Sequence, residues 1–314
     1  MIVPPMIVSA SYRTDIPAFY STWFRRRLAE GWCRVANPYG GKDSIVDLTP
    51  TGDNGAGCDG FVFWTRNVGP FVPALAEVRA LGLPFVVQYT VTGYPRALET
   101  SVIAVERSIE AMHALAQEYG PHAVVWRYDP VLLSDLTPPD WHRGQVARLA
   151  KALKGAADEV VFSFATIYHK TRRNTETAAA EHGFSWWDPA DAEKTDLLEE
   201  LAGLAAEQGF APKLCAQPHL LREPLLSPRS ASLSAARCVD SERLSRVAGR
   251  TIQAPTKGNR PGCFCAQSRD IGAYDTCPHG CVYCYAVRRP ELAKRRYRGH
   301  DAAADSLSGE RNAD

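Results

Sequence analysis

Cys277, Cys281 and Cys284 share one short stretch, Cys277-Pro278-His279-Gly280-Cys281-Val282-Tyr283-Cys284. Three thiols spaced four and then three residues apart offer three ligands to a metal cluster and no fourth. A protein that only has to hold a 4Fe–4S cluster gives it four thiolates. Three leave one iron open to a small molecule, much as catalytic zinc sites keep one position free. The chemistry expected of this loop is therefore chemistry at an open cluster.

Four further cysteines, Cys215, Cys238, Cys263 and Cys265, precede the loop. Four is the count for a fully ligated site, so they are candidates for a second, auxiliary 4Fe–4S cluster or for zinc. An alternative makes the loop half of a zinc ribbon, with Cys263 and Cys265 pairing with two later cysteines. Structural zinc prefers pairs separated by two to four residues, a spacing that Cys281 and Cys284 fit and Cys263 and Cys265 do not. His279 reads as a loop residue, and the distant Cys33 and Cys58 as small buried hydrophobes. In the cluster assignment, the open iron of the loop could chelate the amino and carboxylate groups of S-adenosylmethionine. Tyr283 and Tyr285 could shield the cluster or contact an adenine.

The rest of the chain must position this loop. Its 314 residues, 45% hydrophobic and 23% charged, suit an ordinary globular protein. Lys plus Arg number 36 against 35 for Asp plus Glu, so bulk charge drives it to neither nucleic acid nor membrane. The start, MIVPPMIVSA, lacks a basic n-region and a long apolar core. No stretch reaches the roughly 20 apolar residues of a membrane span. A cytoplasmic, membrane-free protein is expected. Clustered cysteines in such a setting bind metal or do chemistry more often than they form disulfides.

Short apolar runs alternate with amphipathic stretches as far as residue 217. Candidate strands are 6–11, 61–65, 85–91, 123–129, 159–165 and 213–217, with a hairpin around Gly40-Gly41. Candidate helices are 17–30, 101–119, 142–153 and 192–208. Strands alternating with helices imply an α/β fold with a parallel sheet, an open or partial parallel (βα)6-type barrel. Ligands of such folds bind at the carboxyl ends of the strands. Those ends are polar here, and Arg13, Asp15, Arg66, Arg127 and Asp129 are the candidate cofactor-binding residues. The arginines suit a carboxylate, and the aspartates suit amino or ribose groups. Helix capping by Asp15 and a local Arg127–Asp129 pair are the plain alternatives.

The stretch TCPHGCVYCYA resembles the cysteine loop of radical S-adenosylmethionine enzymes, C-x3-C-x2-C with an aromatic before the last Cys. HGCVYCYA is especially similar to the spore photoproduct lyase group. SASYRTDIPAFY, ANPYGG, FVFWTRN, VVWRYDP and CFCAQSRDIGAYDTCPHGCVYCYA resemble a bacterial family of unknown function, domain of unknown function 1848. The resemblance implies a radical S-adenosylmethionine barrel with Cys277, Cys281 and Cys284 as cluster ligands. The usual enzyme carries this loop after its first strand, whereas here it follows the last. Residues 269–275 could supply a strand that delivers it, because first and last strands of a barrel can be neighbours. Alternatively the tail folds over the barrel mouth.

The reading is thus a partial barrel over 1–217, a cysteine-rich cluster-binding segment over 218–298 packed on the barrel mouth, and a disordered tail over 299–314. The expected activity is reductive cleavage of S-adenosylmethionine with hydrogen abstraction from an unidentified substrate, fed by a reductase or a flavodoxin- or ferredoxin-type electron donor. The rivals are a zinc-stapled nucleic-acid binder using the basic run Lys294–Arg298, and an iron–sulfur electron-transfer protein that does not cleave S-adenosylmethionine.

Overall fold

The structure, a computed structural model, describes residues 6–38, 40–52, 55–222 and 233–308. Its centre is one parallel sheet of eight strands: β1 (Ile7–Ala10), β2 (Gly60–Thr65), β3 (Phe85–Thr90), β4 (Val124–Val131), β5 (Glu159–Phe164), β6 (Ala211–Leu214), β7 (Ser234–Ala235) and β8 (Ser268–Asp270). Their spatial order is β7-β6-β5-β4-β3-β2-β1-β8, and every pairing is parallel. Six strands lie where the apolar runs predict them. The two added strands, β7 and β8, come from the irregular tail and extend opposite edges of the sheet. Strand β8 begins one residue before the expected stretch 269–275 and ends at Asp270, and it pairs with β1 as the permuted order requires.

Helices α1 (Ile16–Phe19), α2 (Ser21–Glu30), α3 (Val72–Ala80), α4 (Val105–Tyr119), α5 (Pro139–Ala152), α6 (His169–His182) and α7 (Asp191–Ala206) lie between the strands. The single helix expected over 17–30 is two, divided at Tyr20. Gly31, at φ +79°, ends α2 in the left-handed conformation that glycine adopts without a Cβ penalty. The Gly40-Gly41 segment joins an antiparallel hairpin of Trp32–Val35 and Ser44–Asp47. α3 and α6 are not among the expected helices. α3 has only three buried residues, and α6 buries mainly Thr171, Thr175 and Ala178, so neither shows a clear apolar stripe.

Side chains alternate between the two faces of a strand. One face, including Val8, Phe61, Phe63, Val87, Tyr89, Trp126 and Phe162, packs on Phe24, Leu75, Met112, Leu149 and Leu201 of the helices. The other face is layered. Ile7, Val62, Val86, Val125 and Val161 form an apolar tier near the amino ends. Two residues further along each strand stand Ser9, Trp64, Gln88, Arg127 and Ser163, and beyond them Ser11, Arg66, Thr90 and Asp129.

The apolar tier is covered by the tail. Ala236, Cys238, Val239, Leu244, Ile252 and Cys265 are all buried against it. This stretch therefore packs on the face of the sheet that the helices leave free. Helix α8 (Ser241–Ala248) is capped by Asp240, whose side chain accepts from the N–H groups of Glu242 and Arg243. Arg243 then donates to Asp158 at 2.7 Å and Glu159 at 2.9 Å, anchoring α8 at the amino end of β5. After β8 and the cysteine loop comes α9 (Pro290–Gly299). Against the expectation of a disordered end, residues 299–308 pack back on the domain. Leu307 joins the core, Trp23 donates to the Ala304 carbonyl at 3.0 Å, and Arg34 pairs with Asp305. Residues 309–314 lie outside the described residues.

One buried histidine carries a pH signature. His142 Nε2 donates to the Leu132 carbonyl at 3.1 Å, and Nδ1 accepts from Tyr128 Oη at 2.8 Å, so the neutral ring satisfies both partners. Burial depresses its pKa to about 4, the Leu132 bond opposing only in part. Between pH 6.5 and 4 the unfolded chain binds this proton and the folded chain does not, so stability falls as pH falls through that window. Urea unfolding is expected to show a loss of up to about 3 kcal/mol across it, flattened by His142→Gln.

Candidate functional site

β8 delivers the cysteine loop. Asp270, at the end of that strand, accepts from Ser9 Oγ (2.9 Å), Ser11 Oγ (2.7 Å), Tyr12 N (3.0 Å) and Gly272 N (3.0 Å). Four donors from the ends of β1 and β8 thus meet on one buried carboxylate. The chain then turns out over the strand ends. Tyr20 Oη donates to the Thr276 carbonyl at 2.6 Å, and Asp275 N donates to the Ala286 carbonyl at 2.9 Å, closing the loop at its base.

Within the loop, Gly280 takes φ +73°, where a Cβ would also press on Thr100. Val282 N donates to the Leu98 carbonyl, and Cys281 bridges to Glu99, sewing the loop to the segment after β3. His279 Nε2 hydrogen-bonds Asp15 at 2.8 Å. Asp15 also accepts from Ala18 N, as the cap of α1, and from Arg66 N. His279 is thereby turned into the wall as a tether.

The three loop thiols are half-buried and open on a cavity of about 520 Å³ above the polar tiers. Burial pushes all three thiols up, Cys281 to about 12. They are neutral until a metal ion deprotonates them, which coordination does outright. Ionising Cys284 would push Cys277 and Cys281 higher still. The donor set is three sulfurs, with His279 on the same wall held through Nε2 by Asp15, and three sulfurs suit a cluster held by three thiolates. Among the described residues, no three His, Cys, Asp or Glu side chains are gathered tightly enough to hold a metal ion.

All five polar candidates line the same cavity, but each has a partner within the protein. Arg13 Nε lies 3.6 Å from Asp270, and its Nη1 donates to the Gly272 carbonyl. Arg127 donates through Nε to Asp129 at 3.0 Å and through Nη1 to Gln88 at 3.0 Å, and it stacks over Trp64. Ser163 Oγ donates to Asp129. Burial alone would raise the Asp129 carboxyl, but Arg127 and Ser163 hold it below the usual range. Arg66 donates to Glu99 at 2.8 Å, Thr92 at 3.3 Å and Tyr283 Oη at 2.6 Å. Tyr283, its phenol kept protonated by burial, donates to Glu99.

Asp270 and Glu99 were not identified from the sequence. Asp270 had a usable signal, a polar residue ending a strand like its neighbours. Glu99 lies in a loop with nothing local to mark it. Arg260, Lys170 and Asn259, from a helix and a turn, also line the cavity.

The four upstream cysteines reach this cavity too. Cys215, Cys238, Cys263 and Cys265 line it together with the loop thiols. Cys33 and Cys58 do not. They are fully buried in the core between sheet and helices, and burial pushes each thiol up to about 12. The Lys294–Arg298 run forms half of α9. Arg296 from that run donates to the Tyr274 carbonyl, and Tyr297 packs edge-on against Phe19 and Tyr20. No helix among the described residues is long and apolar enough to cross a membrane.

Fold and site together define a parallel α/β protein with a cysteine-walled cavity at the carboxyl ends of its strands. The chain belongs to the family described as Domain of unknown function (DUF1848), whose model matches residues 7–286. That span runs from β1 to the end of the cysteine loop. No curated protein matches the chain, and no solved structure does.

The Arg66–Glu99–Tyr283 network is expected to be stiff and costly to break. Glu99→Ala leaves a buried guanidinium unpaired and should cost about 3–5 kcal/mol. Tyr283→Phe removes one hydrogen-bonding hydroxyl and should cost about 1–3 kcal/mol. Chemical denaturation of the two variants checks the ranking.

Proposed function

We propose that this protein is a radical S-adenosylmethionine enzyme, with a 4Fe–4S cluster held by Cys277, Cys281 and Cys284 and the cofactor and substrate in the cavity beneath. The observation that carries this reading is the meeting of three loop thiols and a ring of charged strand-end residues in one cavity. The loop follows the last strand in sequence, but β8 lies beside β1, so it occupies the place that a loop after the first strand would reach. The sequential strand order supports reading the sheet as a partial barrel.

When bound, such a cluster supplies one electron at low potential, which suits reductive cleavage of the sulfonium–carbon bond of S-adenosylmethionine and hydrogen abstraction from a substrate. The polypeptide's own contribution is placement and exclusion of water. Tyr283 and Glu99 fix the loop to Arg66 so that its thiols keep one orientation. Asp15 does the same through His279. Arg127 and Asp129 neutralise one another, and their outer atoms face the cavity as a dipolar pair for a polar ligand. Arg260 and Lys170 are the cations for a cofactor carboxylate, since Arg13, Arg66 and Arg127 each already hold a protein carboxylate. Trp64, Tyr12 and Tyr285 give the cavity aromatic walls on which an adenine can stack. The low-dielectric wall strengthens these contacts.

Anaerobic purification and reconstitution, followed by S-adenosylmethionine and a strong reductant, tests the reading. Formation of 5′-deoxyadenosine and methionine, detected by chromatography and mass spectrometry, is the expected result, and Cys281→Ala should abolish it. Absence of both products from protein that carries iron and sulfide on the loop would favour a simple electron carrier and defeat the proposal.

A further inference from the structure

The four cavity-lining thiols outside the loop have no part in the reaction proposed above. Cys215 follows β6, Cys238 follows β7, and Cys263 and Cys265 lie in the turn before β8, so three separate stretches of chain bring them together. All are free thiols on the cavity wall. Cys238 Sγ and Cys215 Sγ are 3.6 Å apart. Cys265 interacts electrostatically with both Cys238 and Cys263, so the four thiols are neighbours on one side of the cavity.

A separation of 3.6 Å is far beyond the roughly 2.05 Å of a disulfide. It is near the about 3.8 Å between sulfurs that follows from a tetrahedral centre with Zn–S bonds of ~2.3 Å. Donors surround the group as well. Arg127 Nη1 lies 3.1 Å from Cys238 Sγ, Arg260 Nη2 lies 3.6 Å from Cys215 Sγ, and Val239 N donates to Cys265 Sγ at 3.3 Å. Four thiolates on a divalent ion leave about two negative charges, and N–H donors of Arg127, Arg260 and Val239 point at three of the four sulfurs.

We propose that Cys215, Cys238, Cys263 and Cys265 form a second metal centre, saturated by four thiolates and separate from the loop, with Cys263 and Cys265 closing onto the Cys215–Cys238 pair as the metal binds, since without it no three ligands among the described residues are gathered tightly enough. It staples the segment 236–266 onto the face of the sheet that the helices leave free. Zinc and a fully ligated 4Fe–4S cluster share this ligand chemistry, and metal analysis distinguishes them. The centre has no open position, so its role is to hold structure and to form the cavity wall. It stands or falls independently of S-adenosylmethionine cleavage.

The test uses the full chain carrying Cys277→Ala, Cys281→Ala and Cys284→Ala, purified anaerobically from cells supplied with iron and zinc. This variant is expected to keep either one equivalent of zinc, or about four iron with as many sulfides. Adding Cys215→Ser and Cys263→Ser should remove that metal. Should the combined variant not fold, Cys263→Ser alone in the loop-deficient background gives the reading, with circular dichroism as the folding control and at least a tenfold weaker hold on metal against a chelator expected. Metal removal should also expose residues 236–266 to limited proteolysis. The proposal is overturned if the loop-deficient protein holds neither metal above trace. It is equally overturned if metal survives the serine substitutions, or if thiol titration finds Cys215 and Cys238 joined as a disulfide.

Discussion

The carboxylate of Asp270 is the point on which the architecture turns. It belongs to the last strand, yet it accepts hydrogen bonds from two hydroxyls and a backbone N–H at the end of the first. Burial raises this carboxyl, and Arg13 with the hydrogen bonds opposes that shift. An unpartnered carboxylate in that position would be strongly unfavourable. The bonds therefore hold β8 against β1 in one register. Since the cysteine loop begins seven residues later, that register fixes where its sulfurs fall. A slip by one residue would turn Asp270 to the helix-covered face and carry the loop away from the strand ends.

The face of the sheet away from the helices then divides the labour by depth. Its apolar tier is buried by the tail, so the tail is part of the core rather than an appendage. Its polar tiers are paired internally: Arg66 with Glu99, Arg127 with Asp129, Arg13 with Asp270. Buried ion pairs add little net stability, but losing one partner is costly, so each pair fixes the geometry around it. The Arg66 pair has a particular reach, because Tyr283 of the cysteine loop is its third member. The loop is held in place by charge at one end and by Asp270 at the other.

Two sets of thiols thus face one cavity with different supports. The loop thiols come from eight consecutive residues shaped by Gly280 and tethered by His279 and Tyr283. The other four are drawn from the ends of β6 and β7 and from the turn before β8, and guanidiniums stand beside two of their sulfurs. A local motif can offer its ligands before the domain is complete. A site assembled from distant segments exists only once the sheet has formed.

Much of this was readable from the chain alone, wherever the information is local. The C-x3-C-x2-C spacing, the six apolar runs that became β1 to β6, and the helical stripes of α4, α5 and α7 all depend on neighbours within a few residues. The polar groups at strand ends were legible for the same reason, since period-two alternation puts Arg127 and Asp129 on one face. β7 and α6 were not legible, the first because two residues carry no periodicity, the second because its buried face is threonine and alanine. Nor was the folding back of residues 299–308, whose one large buried side chain, Leu307, joins a core built by distant elements. Partnership was decided only in three dimensions. That Arg66 answers to Glu99, His279 to Asp15 and Asp270 to Ser9 and Ser11 follows from strand order and register, because these contacts span 33, 264, 261 and 259 residues of sequence. The amino-acid order set which groups were present and how they alternate; the packing of the sheet chose which charges would be neutralised and which sulfurs would face the cavity.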